Sequence, residues 1–292
     1  MITSEFLTKT YGSHRALDGV SVSVRDGSIY GLVGPNGAGK TTLLGLLAGL
    51  RRPTSGSLDV GVQIEQLAVL PDTPQYEPWL TAAEVVDLSR TLSAPEIPET
   101  RVREVLVEAG LEDAIEKKVG GFSRGMLQRL GLAATVVGDP QVLLLDEPSA
   151  ALDPAGRREV LDLVARLRGR ATVMFSSHIL SDVQEVCDTV GILRDGHLLF
   201  EGSLDKLLVG RAGVIYRVRL RTPNSAVVQS LEAASWVHSI EQSSPMEFLV
   251  AAVGPGEAEK NLIRVLADAQ AEVISVTPEG ADLEDVFLEL TS

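Results

Sequence analysis

Apolar residues in the first part of the chain fall in short runs. Segments 2–7, 20–24 and 29–33 read as strands, separated by turn signals at Tyr11-Gly12-Ser13 and Asp26-Gly27. Segment 43–50 is apolar and rich in helix formers, and Arg51-Arg52-Pro53-Thr54-Ser55-Gly56 closes it. A short apolar strand over 67–70 stops at Pro71. From Thr81 the period changes: Val85, Leu88 and Leu92, then Val102, Val105 and Leu106, recur at helical steps, so a helical block is predicted to about Gly138. Segment 141–145 is continuously apolar, as a strand buried on both faces requires. Asp153 and Pro154 then supply a helix cap and a first-turn proline. The stripe Val160, Leu163, Val164 and Leu167 follows, ended by Gly169. A strand over 171–175, a helix over 179–187 and a hairpin around Asp195-Gly196 come next. Alternation of this kind predicts an α/β fold with a mainly parallel sheet and helices on both faces.

Near Gly210 the character changes. Segment 214–220 alternates at period two, 226–234 is helical, strands are expected around Val237 and over 248–252, and a helix over 257–269 precedes a strand over 272–276. A last helix is predicted over 283–290. The order β-α-β-β-α-β resembles a ferredoxin-like domain. The expected division is 1–210 and 211–292, with a helical subdomain at about 72–138 inside the first part.

Composition narrows the class. A chain of 292 residues leads one to expect about two domains. With 45% hydrophobic and 23% charged residues it reads as a globular protein. No apolar run is long enough to span a bilayer, and the start lacks the pattern of a secretion signal, so a cytoplasmic location is expected. A single cysteine, Cys187, excludes an internal disulfide. The net charge of −14 argues against nucleic acid as a partner, since that needs a basic face.

The chemistry is concentrated in Gly34, Pro35, Asn36, Gly37, Ala38, Gly39, Lys40, Thr41 and Thr42. A strand pattern precedes them and a helix pattern follows, which is the context that makes G-x-x-x-x-G-K-[ST] a phosphate-binding loop. The glycines let backbone N–H groups turn inward on phosphate oxygens, aided by the helix N-terminus. Lys40 would reach the β- and γ-phosphates, and the Thr41 hydroxyl would ligate Mg²⁺. A nucleoside triphosphate ligand follows. The apolar run that ends in Asp146-Glu147-Pro148 delivers two acids to the same end of the sheet. Asp146 suits Mg²⁺ held through water, and Glu147 can polarise a water for attack on the γ-phosphate. Ser123 and Gly125, at the start of the helix leading into that strand, offer a further anion site.

Together these stretches resemble the ATP-binding subunit of an ABC transporter over residues 1 to about 205. Phe122-Ser123-Arg124-Gly125-Met126 stands where that family has LSGGQ: Ser123 and Gly125 match, Arg124 and Met126 depart. The resemblance implies a P-loop ABC-type ATPase core in which two chains pair head to tail around two ATP molecules. Each chain's Ser123 and Gly125 would then meet the γ-phosphate held by the other. It also implies that Asp153 crosses the dimer interface, that His178 contacts the γ-phosphate and that Tyr11 stacks on adenine. The position usually filled by glutamine before the helical subdomain holds Asp72, a candidate Mg²⁺ ligand. The ending 282–291 is similar to exporter-type subunits with a small C-terminal domain, here read as a dimerisation or regulatory module. The function expected is an ATPase that drives a separate integral membrane permease, with export as the expected direction, from the inner face of the membrane. An alternative is a soluble ABC-type ATPase acting on ribosomes or nucleic acid, disfavoured by the single cassette and the negative charge. A P-loop kinase is disfavoured because no acceptor-substrate site is visible.

Overall fold

The computed structural model of the protein describes residues 1–150, 152–204, 207, 214–252, 255–279, 283 and 287. Two compact units divide at Ser203: Met1–Ser203 and Leu204–Ser292.

In the first unit, strands β1 (Ile2–Tyr11) and β2 (His14–Val24) form an antiparallel hairpin, and β4 (Ser55–Asp59) adds to the other edge of β1. This three-stranded sheet stands apart from the parallel one, and β4 is an element that the hydrophobic pattern does not announce. Its residues are nearly all exposed and include no apolar run, so pairing with β1 alone makes it a strand.

The main sheet has six strands. They are β3 (Ile29–Val33), β5 (Leu67–Leu70), β6 (Val142–Asp146), β7 (Thr172–Ser177), β8 (Thr189–Arg194) and β9 (His197–Ser203), in the order β5-β6-β7-β3-β8-β9. All neighbours are parallel except the β8–β9 hairpin. Every residue of β3, β6 and β7 is buried, which is why those sequences run apolar without alternation. Strand order reverses at β3, and register aligns Val33 with Ser177 and Asp146 with Ser176. The carboxyl ends of the three strands therefore meet on one edge, where ligands of open α/β sheets bind.

Helix α1 (Lys40–Leu47) packs its leucines between the two sheets, in a core shared with Ile2, Leu17, Tyr30, Leu144 and Met174. A second core joins α2 (Ala82–Ser93), α3 (Thr100–Glu108) and α4 (Arg124–Val136) through Val86, Leu106 and Leu130. A capping box starts α2: the Thr81 hydroxyl accepts from the Glu84 N–H, and the Glu84 carboxylate accepts from the Thr81 N–H. Helices begin at Ala82, ten residues past Asp72; the intervening stretch is extended or turn. Two more helices, α5 (Pro154–Arg166) and α6 (Leu180–Val186), follow β6 and β7.

The second unit holds β10 (Val214–Leu220), α7 (Ser225–Glu232), β11 (Val237–Ser244), β12 (Glu247–Ala252), α8 (Pro255–Asp268) and β13 (Val273–Glu279). Its sheet is antiparallel throughout, in the order β11-β12-β10-β13. This is the β-α-β-β-α-β arrangement expected from the sequence. Val218, Leu231, Phe248, Val250 and Leu262 fill its core. Apart from Leu283 and Phe287, the expected final helix and the ending 282–291 lie outside the described residues, as does the expected boundary at 210.

Candidate nucleotide site

A cleft of about 480 Å³ opens at the carboxyl edge of the main sheet. Tyr11, Asn36, Gly37, Ala38, Gly39, Lys40, Thr41, Thr42, Asp72, Glu147 and His178 line it, so sequence-predicted residues far apart in the chain meet there. Gly34 and Pro35 are not among the lining residues; their carbonyls accept from Lys40 Nζ. A Cβ on Gly34 would stand 2.2 Å from the Leu193 carbonyl oxygen, closer than any side chain tolerates. Gly39, at φ +109°, caps α1 with no side-chain hydrogen bond, and a Cβ there would lie 2.6 Å from the Ala16 carbonyl oxygen. The first turn of α1 therefore presents backbone N–H groups unobstructed, an anion-binding arrangement.

Lys40 is 6% exposed. Its Nζ donates to the Gly34 carbonyl at 2.7 Å and to the Pro35 carbonyl at 3.3 Å, and lies 3.3 Å from Glu147 Oε1. The other carboxylate oxygen of Glu147, Oε2, is 2.8 Å from His178 Nδ1. Lys40, Glu147 and His178 thus form one chain of polar contacts across the cleft. Glu147 has φ +49°, in the left-handed region that non-glycine residues rarely occupy.

Asp146 is buried at the end of β6 and accepts from Ser176 Oγ at 2.5 Å, while the Ser176 Oγ itself accepts from the Glu147 N–H at 3.0 Å. Thr41 is exposed in the first turn of α1 and Asp72 exposed at the cleft. Hydroxyl and carboxylate oxygens are the donors a hard divalent cation takes. Among the described residues no three His, Cys, Asp or Glu side chains cluster as a metal cage.

Tyr11 leans over the mouth. Arg51 Nη1 donates to its hydroxyl at 2.8 Å, and Lys9 Nζ lies 4.9 Å from the ring centroid. His14, which the sequence reading passes over, pairs with Tyr11 in the hairpin and lines the same cleft.

Ser123 caps α4, its hydroxyl accepting the Met126 N–H at 3.2 Å, and Gly125 follows in the first turn. Neither lines the cleft formed by the same chain's phosphate loop. Asp153 caps α5 through the Gly156 N–H at 3.0 Å. Cys187 is buried, and burial pushes its thiol pKa well above the usual value, which leaves it unreactive.

Three further residues escape the motif reading: Ser176, Asp182 and Arg157. Ser176 is a buried polar residue at the end of β7 that follows the apolar Val173, Met174 and Phe175, which is a signal. Asp182 and Arg157 carry none, because an acid in the first turn of a helix and an arginine on a polar face are ordinary in sequence.

A glycine-rich loop between a buried strand and a helix, at the reversal of strand order and beside paired acids, defines a P-loop nucleoside triphosphatase. A family model described as ABC transporter matches residues 17–150. The uncharacterized ABC transporter ATP-binding protein YxlF of Bacillus subtilis is 34% identical over 301 residues, covering 99% of each chain. The bacitracin transport ATP-binding protein BcrA of Bacillus licheniformis is 32% identical, covering 99% of this chain and 97% of BcrA. Among solved structures, the dimeric post-hydrolysis state of the ATP-binding cassette MJ0796 bound to ADP and phosphate aligns with TM-score 0.64 at 25% identity. That alignment covers 70% of this chain and 99% of the cassette. The chain belongs to the ABC transporter ATP-binding family: it is a nucleotide-binding ATPase subunit that energises transport. No helix among the described residues is long and apolar enough to cross a membrane.

Proposed function

We propose that two copies of the chain pair head to tail and hydrolyse ATP between them to drive a separate permease in the membrane, with export as the direction. The contact chain from Lys40 through Glu147 to His178 carries this reading, because it sets a carboxylate between a phosphate-binding cation and an imidazole. Tyr11 stacks on the base, and the Gly34–Thr42 loop cradles the phosphates. Glu147 polarises the attacking water, and His178 orients Glu147 and the γ-phosphate. Thr41, Asp146 and Asp72 would hold Mg²⁺, which, when bound, offsets charge on the β- and γ-phosphates. Ser123 and Gly125, remote from their own chain's cleft, complete the site of the partner. Export rests on the likeness to BcrA, a bacitracin transport protein, along nearly its whole length. The C-terminal unit acts as a dimerisation or regulatory module, and the permease holds the subunit at the inner face of the membrane.

Glu147→Gln tests the mechanism. The amide keeps the shape but cannot accept the proton, so the turnover rate should fall by about 10²–10⁴. ATP binding should persist and a dimer should accumulate on size-exclusion chromatography in ATP and Mg²⁺. Ordinary turnover by this variant would sink the assignment of Glu147.

A further inference from the structure

Glu147, at φ +49°, sits in a backbone conformation that is strained for a non-glycine residue. Such a conformation persists only where the surroundings over-determine it. Three residues of segment 176–182, which runs from β7 into α6, hold the turn 146–149. Ser176 Oγ accepts the Glu147 N–H, His178 Nδ1 meets the Glu147 carboxylate, and Asp182 Oδ2 accepts the Ser149 hydroxyl at 2.5 Å. The last contact is the most enclosed: Ser149 and Asp182 are each 1% exposed. A buried carboxylate needs a counter-charge, and Arg157 of α5 supplies it by pairing with Asp182 while its other nitrogen donates to Ser181 Oγ at 2.8 Å. Asp182 therefore ties together the turn after β6, the start of α6 and the first half of α5.

We propose that Asp182 is a positioning residue for hydrolysis, holding the Glu147 turn through the Ser149 hydroxyl and itself held by Arg157. One side chain fixes the turn that bears Glu147 and the segment that bears His178, so the distance between those two groups is set by Asp182 rather than by either loop alone. Ser149 is the link whose removal leaves the Asp182–Arg157 pair in place. This inference rests on Glu147 being the group that activates water.

The test is Ser149→Ala in the full chain, with ATP and Mg²⁺ as substrate. The turnover rate should fall roughly tenfold while KM for ATP stays close to that of the parent, and the melting temperature should fall by only a few degrees as Asp182 loses one buried donor. Introduced into Glu147→Gln, the same substitution should leave the residual single-turnover rate unchanged, because Ser149 acts only through Glu147. Unchanged turnover by Ser149→Ala, or a rise in KM for ATP as large as the fall in turnover, overturns the proposal. So does a further tenfold fall in the Glu147→Gln background. Failure of the underlying reading is recognised separately, since then Glu147→Gln itself turns over normally.

Discussion

Tyr11 shows how the binding platform is made at the scale of single residues. Its ring is 43% exposed, so packing does not hold it. Arg51, just past α1, pins the hydroxyl at 2.8 Å, and Lys9 Nζ, anchored on the Arg52 carbonyl at 2.8 Å, approaches within 4.9 Å of the ring centroid. A cation near an exposed aromatic face contributes about 0.5–1 kcal/mol, and a charge-assisted hydrogen bond adds to it. Arg51→Ala should therefore raise KM for ATP by about three- to tenfold with the turnover rate unchanged, as loss of uniform binding requires. Titration with a fluorescent ATP analogue checks it, and Tyr11→Phe, which loses the hydroxyl but keeps the ring, should show a smaller shift in the same direction. Tyr11, which lines the cleft, was singled out in the sequence by the family resemblance, which implies an adenine-stacking aromatic at that position. Arg51, Lys9 and His14 were not, since their contacts are made by a hairpin and a helix end that come together only in the fold.

Elements were more legible than contacts. Buried strands β3 and β6 declare themselves as apolar runs, and the Ser123 and Asp153 caps are each visible as a polar residue before an apolar stripe. What stayed hidden was β4, whose exposed residues carry no period, and the separation of β1 and β2 into their own antiparallel sheet, which depends on which edges pair. Asp153 offers a test at this scale. It accepts the Gly156 N–H with Pro154 at the first helical position. Removing such a cap costs about 1 kcal/mol. Asp153→Ala should lower the melting temperature of the nucleotide-free chain by about 2–4 °C, and Asp153→Asn, which keeps the accepting oxygen, by distinctly less. A thermal unfolding scan monitored on the helical signal measures both.

At the scale of the whole molecule the proposed site divides between two chains. The phosphate loop, Glu147 and His178 share a cleft, while the α4 start with Ser123 and Gly125 lies outside it despite presenting a second helix N-terminus suited to an anion. If the missing donors come from a second copy, two differently damaged chains should complement one another. Lys40→Ala spoils the loop and leaves α4 intact; Ser123→Arg blocks the α4 start and leaves the loop intact. Each variant alone should be inactive, because every paired site then contains one damaged half. Mixed in equal amounts, half of the dimers hold both variants, and one of the two sites in each such dimer has both halves intact. Activity should recover to about a quarter of the parental rate for independent sites under two-fold pairing. The recovered rate should rise faster than linearly with total protein below the dimerisation constant. A mixture that stays inactive at every concentration would show that Ser123 and Lys40 do not meet across chains. A rate strictly proportional to concentration in the parent, over a range where size-exclusion chromatography shows only monomer, would place the whole of hydrolysis in the monomer.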